Sequence, residues 1–258
     1  MNVQRLDSVD LLRGAAMLWM TFFHLCFDLS QAGLIAANFY ADPLWTLQRT
    51  CILGMFLLCA GAGQAIALQQ GQSWRRFWRR WTQIAACALL VTAGSALMFP
   101  GSLIYFGVLH GMAIMLIVVR LTAGLGVWLW PLGAAAIAMK SVASYAISTG
   151  VWSTFLNEKW LNWLGLVSVK PITEDYVPLI PWIGVMWWGM ALTQWWVARA
   201  VSISPAPSAT QTLSPVLRPI AALGRWSLSY YMLHQPVLLG VLWVLTASGI
   251  LVQGKHGA

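Results

Sequence analysis

The chain has 258 residues, 59% of them apolar and only 9% charged, against roughly 45–50% and about 25% in soluble proteins. Its 15 basic and 7 acidic side chains cannot cover the surface of a soluble domain this long, and 17 Trp with a mean hydropathy of +0.71 point the same way. This composition excludes a disordered chain, a nucleic-acid-binding module and a secreted disulfide scaffold, and it implies an all-α polytopic membrane protein.

A spanning helix needs about 20 largely apolar residues, so the uncharged intervals define the elements. The first span runs from about Leu11 to Gly33, with Arg13 near its start and Asp28 near its end. Two acids precede it and no small-residue cleavage site follows, so a cleaved signal peptide is not expected. The second span lies among the 25 uncharged residues between Arg49 and Arg75. The 39 uncharged residues between Arg80 and Arg120 are broken by Pro100-Gly101, which predicts two spans joined by a tight turn. Residues 121–139, 176–198 and 226–252 supply the fifth, sixth and seventh spans. Between the fifth and sixth, residues 141–175 carry Trp152, Trp160 and Trp163 beside Glu158 and Lys159, the pattern of an extracytoplasmic interfacial segment. An eighth span over 141–157 is the alternative. Residues 201–219 read as a Ser/Pro/Thr cytoplasmic loop, and the whole of 1–258 as one integral-membrane domain.

Seven spans with the N-terminus inside place ten basic residues in the cytoplasm and five outside, as the positive-inside rule requires. An eighth span gives the same division, so the rule sets the orientation of the N-terminus and not the number of helices. The net charge of +8 is thus read as topology rather than as a nucleic-acid surface. Cys26, Cys51, Cys59 and Cys87 all sit inside apolar runs and are expected to pack as small hydrophobes.

The first span carries the most chemistry. At about 100° per residue, Arg13 and His24 lie within about 20° of one another, with Asp10 and Asp28 within about 60° of Arg13. One helix face therefore shows Asp10, Arg13, His24 and Asp28 from its cytoplasmic end to near its outer end. Ionisable groups in lipid are costly and mark functional sites; the ordinary alternative is snorkelling end charges and one hydrogen-bonded His. His24 and Asp28, at i and i+4, are spaced for the carboxylate to accept a ring N–H and leave the other nitrogen as a base. Arg13 and His24 are about 16 Å apart along the axis, comparable to an extended phosphopantetheine arm. Arg75-Arg76-Phe77-Trp78-Arg79-Arg80 is read as the cytoplasmic connection between spans two and three. It serves either as topology signal and lipid contact or as a phosphate site with a stacking Trp. His110 lies among glycines in IYFGVLHGMAIM, and His234 shares a face with Ser227, Tyr230 and Tyr231. Each is a pocket candidate or a bonded core residue. No ligand-spaced cluster argues for a metal.

RLDSVDLLRGAAMLWMTFFH resembles the opening of the heparan-alpha-glucosaminide N-acetyltransferase catalytic-domain family. It is also similar to the wider acyltransferase-3 membrane enzymes, whose first helix carries an Arg, ten residues and then a His, the spacing of Arg13 and His24. Their R-x-x-R element matches Arg76-Phe77-Trp78-Arg79. The segments IYFGVLHGMAI, DYVPLIPWIGVMWWGMAL and LGRWSLSYYMLHQPV resemble later landmarks of the family, in the same order. The resemblance implies transfer of an acyl group, typically acetyl, from cytoplasmic acyl-CoA to a sugar amine or hydroxyl across the membrane. By it, His24 is the catalytic base or acyl carrier, and Arg13, Arg76 and Arg79 are acyl-CoA contacts. The chain is much shorter than the lysosomal enzymes of the family and shows no large soluble domain, so a heparan acceptor is not carried over.

The resulting expectation is an acyl-CoA-dependent acyltransferase in a bacterial-type cytoplasmic (inner) membrane. His24 and Asp28 are catalytic, Arg13, Arg75, Arg76, Arg79 and Arg80 bind acetyl-CoA, and Asp10, His110, Tyr230 and His234 line the pocket. Its partners are the donor, a glycan or amino-sugar acceptor and the bilayer; no nucleic acid and no metal is expected, and a homo-oligomer is left open. The competing reading is a small proton-coupled transporter or channel in which His24, Asp28 and His110 relay protons.

Overall fold

In hydrocarbon the backbone must satisfy its own hydrogen bonds, so long uncharged intervals become helices. The computed structural model describes residues 7–148, 153–203 and 213–250. In chain order these hold α1 (Asp7–Gln31), α2 (Pro43–Gln69), α3 (Trp74–Met98), α4 (Val108–Thr122) and a 3-10 turn (Ala123–Trp128). Then follow α5 (Leu129–Ser148), α6 (Ser153–Leu156), a second 3-10 turn (Asn162–Leu164), α7 (Leu179–Ile203), α8 (Arg218–Arg225) and α9 (Ser227–Ala247). Among the described residues there is no strand, and the only β pairing is an isolated bridge between Phe106 and Tyr176.

Among the described residues five stretches are long and apolar enough to cross a membrane: α1, α2, α3, Val108–Tyr145 and α9. The fourth, 38 residues long, is interrupted at Gly126, whose backbone (φ 54°, ψ −117°) is not helical, and it covers the fifth expected interval and most of the fourth. The 25-residue α7 occupies the sixth, with tryptophans at 182, 187, 188, 195 and 196 lowering its hydropathy. The protein is an all-α polytopic membrane protein.

Two boundaries differ from the sequence reading. The arginine run is not a connecting loop: Arg75–Arg80 forms the first turns of α3, which Ser73 caps by accepting from the Arg76 N–H at 3.4 Å. The fifth helix begins at Leu129 rather than residue 121 and runs on to Ser148, into the expected interfacial segment. Arg120 does not end a span at a lipid surface. It is buried, donates to the Gln72 side chain and carbonyl, and lies 5.1 Å over each of the Trp74 and Phe77 rings, so helix α4 passes through it. No separate spanning helix occurs among the described residues of 141–175; residues 149–152 of the alternative eighth span, and 204–212 of the predicted loop, lie outside the described residues.

The helices group into two compact units. One contains α1, α2 as far as Phe56, α8 and α9; the other contains α2 from Leu57 and α3 through α7. In the first unit Ala16, Met17, Met20 and Phe23 of α1 bury against Phe39, Ile52 and Phe56. Phe39 lies 4.2 Å from the Trp45 ring centroid and meets Phe23 edge-on. Helix α8 approaches α1 backbone to backbone: a Cβ on Gly14 would collide with the Ile220 carbonyl, and one on Gly224 with the Asp10 carbonyl. In the second unit several indoles find partners for their N–H groups. Trp81 donates to the Ala113 carbonyl at 2.8 Å, Trp187 to Thr122 at 2.9 Å and Trp188 to the Trp130 carbonyl at 3.1 Å.

Candidate active site

Helix α1 presents His24 toward α9, where the chain 210 residues later supplies His234; the two ring centroids are 5.0 Å apart at 60°. His24 Nδ1 lies 3.0 Å from the Met20 carbonyl oxygen one turn earlier. A carbonyl can only accept, so Nδ1 carries the proton. His234 Nδ1 lies 2.7 Å from the Tyr231 carbonyl and is protonated for the same reason. Its Nε2 is therefore an acceptor, 3.4 Å from His24 Nδ1. Among the described residues nothing bonds to His24 Nε2, which keeps its lone pair in a half-buried position. Beside the pair, the Tyr230 ring lies parallel to His234 at 6.1 Å, and its hydroxyl donates to Thr21 at 2.7 Å while Thr21 donates to the Met17 carbonyl.

Asp28 does not orient His24 as the i, i+4 spacing suggests. Both its carboxylate oxygens accept from Gln235 Nε2, at 2.9 and 3.0 Å, so the buried acid fastens α1 to α9. Helical spacing makes the carboxylate a neighbour of the ring, but the ring's Nδ1–H has already found the closer Met20 carbonyl. At the other end of the same face, buried Asp10 lies between Arg13 at 3.4 Å and Arg225 at 3.5 Å, and Arg225 also reaches Asp7 at 3.4 Å. The stripe read from α1 thus resolves into three groups: an ion cluster at Asp10 and Arg13, a histidine pair at His24, and an amide–carboxylate clamp at Asp28. On α3, Arg75, Arg76, Arg79 and Arg80 are exposed around buried Phe77, and the Trp74 and Trp78 rings stack 6.2 Å apart at 29°.

A family model described as heparan-alpha-glucosaminide N-acetyltransferase, catalytic, matches residues 5–236. The chain belongs to that family. It is therefore a membrane acetyltransferase in general kind, and acetyl-CoA is the family's general donor. No curated protein and no solved structure matches the chain. The matched stretch contains every residue of the histidine pair, the acidic clamp and the arginine helix.

For a member of the heparan-alpha-glucosaminide N-acetyltransferase family the third intramembrane histidine is placed differently. His110 Nδ1 accepts from the Gly107 N–H at 3.3 Å, and its Nε2 donates to Thr92 at 3.0 Å, whose hydroxyl passes on to the Ile104 carbonyl at 2.7 Å. Both ring nitrogens of His110 are thus engaged in holding the start of α4. Nearby, Asp175 accepts from the Val108 N–H at 2.7 Å, closing the loop before α7 onto the same helix start. Sequence reasoning missed Thr21, Gln235 and the role of Arg225. Gln235 directly follows His234 in the motif, and that adjacency was the available signal.

Proposed function

We propose that the protein transfers an acetyl group from cytoplasmic acetyl-CoA to an amine or hydroxyl of a sugar-type acceptor across a cytoplasmic membrane, with His24 as the base. The observation that supports this reading is the state of His24: its Nδ1–H is tied to a carbonyl, and among the described residues no group bonds to its Nε2. An acceptor N–H or O–H gives its proton to Nε2 as its lone pair attacks the thioester carbonyl carbon. The carbon–sulfur bond then breaks, the CoA thiolate leaves, and His24 returns the proton to it, yielding the amide or ester and free CoA. A covalent route would use the same nitrogen as acetyl carrier.

The arginines of α3 supply exposed guanidinium groups suited to bidentate phosphate contact, with Trp74 and Trp78 offering flat faces for a base. Arg13 stands about 16 Å along α1 from His24, the reach of a pantetheine arm, and Asp10 fixes its side chain. Asp28 acts on the site through Gln235 rather than through the ring. The proton-relay alternative requires no donor site. Incubating the purified protein in liposomes with radiolabelled acetyl-CoA and an amino sugar decides between them. Label is expected on the sugar with wild type and absent with His24→Ala, and equal labelling by both would overturn the assignment.

A further inference from the structure

His24 and His234 form an asymmetric pair, and the asymmetry assigns different tasks. His234 has both nitrogens committed: Nδ1–H to the Tyr231 carbonyl at 2.7 Å and Nε2 to His24 at 3.4 Å. His24 has one committed nitrogen and one that bonds to no group among the described residues. The reactive member of the pair must therefore be His24, and His234 stands behind it. We infer that His234 is a positioning residue whose Nε2 accepts the His24 Nδ1–H, holds that ring in the tautomer that leaves Nε2 basic, and shares the positive charge when Nε2 takes a proton. The inference rests on the reading of His24 as the base.

Three features fit the task. His234 is buried, at 8% exposure, which limits competition from water for its Nε2. Its own Nδ1–H bond to a carbonyl raises the electron density at Nε2, as outer partners do for metal-bound histidines. Its plane is set by Tyr230 at 11° and by Tyr231, whose ring centroid is 5.7 Å away. The Met20 carbonyl fixes the His24 ring from within α1; His234 does so from α9, and an imidazole is a far better acceptor of an imidazolium proton than an amide carbonyl. Protonation of His24 strengthens its Nδ1–H as a donor, so the bond tightens as the acceptor loses its proton.

The test compares His234→Leu with His234→Gln in the full-length protein in liposomes, using acetyl-CoA and an amino sugar. Leucine fills the space without an acceptor, whereas the glutamine amide oxygen reaches the position of Nε2. His234→Leu is expected to lower kcat by about ten- to hundredfold with both KM values within about twofold, and His234→Gln to recover about tenfold of that loss. Wild-type kcat in His234→Leu beside an inactive His24→Ala overturns this inference alone, as does a glutamine variant no better than leucine. Full transfer by His24→Ala instead removes the reading beneath it. If His234→Leu fails to fold, 15N-histidine spectra of the wild-type protein decide. With four histidines in the chain, the resonance lost in His24→Ala should show a protonated Nδ1 and a bare Nε2, and a protonated Nε2 would overturn the inference.

Discussion

His24 on α1 and His110 on α4 are both histidines embedded in apolar runs, and each is anchored by hydrogen bonds to nearby backbone. They differ in tautomer and in completeness. His110 accepts at Nδ1 and donates at Nε2, so its ring closes a network between the start of α4, Thr92 and the Ile104 carbonyl. His24 donates at Nδ1 and offers Nε2 to no group among the described residues. A polar group with every bond made stabilises a fold; one with a lone pair left open and only half-buried is available for chemistry.

The largest expected effect separates the two histidines. His24→Ala should reduce transfer by about 10²–10⁴-fold, with acetyl-CoA affinity retained. His110→Ala should keep kcat per folded molecule and cost about 1–3 kcal/mol of stability, seen as an earlier thermal transition in detergent. If both variants lose transfer alike without loss of stability, the distinction between an open and a closed histidine fails. Next in size is the arginine helix: Arg76→Gln with Arg79→Gln should weaken acetyl-CoA binding by at least about tenfold by calorimetry, leaving the rate at saturating donor little changed. Unaltered affinity would reduce the run to topology signal and lipid contact.

Smaller effects sharpen the division along α1. Asp28→Asn should lower kcat by no more than about threefold, since an interhelical hydrogen bond in a membrane protein is worth about 0.6 kcal/mol on average. A loss as large as that of His24→Ala would show the carboxylate acting on the ring after all. Thr21→Val, which removes the partner of the Tyr230 hydroxyl, should cost about 0.6 kcal/mol in an unfolding titration and leave KM unchanged.

The order of the long helices among the described residues was legible because charge is so rare in this chain that each uncharged interval is a count of residues in lipid. Where a charge is itself buried the counting misleads. Arg120 looks like the end of a span, but its guanidinium is buried, donates to Gln72 and lies over two aromatic rings, and the break falls at Gly126 instead. Periodicity also placed Asp10, Arg13, His24 and Asp28 on one face, because those positions share a single helix. It could not pair His24 with His234 or Asp28 with Gln235, since those contacts depend on the register of α1 against α9 and no local spacing encodes it. Asp28 shows the same limit from the other side: i, i+4 spacing permits a bond to His24, and a donor from a distant helix takes the carboxylate first.

The close approach of α8 to α1 has a consequence for which sequences this scaffold tolerates. At Gly14 and Gly224 the obstacle to a side chain is the carbonyl of the opposing backbone, not a side chain that could turn aside. No second-site change of rotamer or residue size can relieve such a clash; only separation of the two helices can. In a saturation library both positions should accept a single letter, while lipid-facing sites such as Leu233 or Val237, both more than half exposed, should accept most apolar ones. The variability of this protein is thus expected to be lowest where it has no side chain at all.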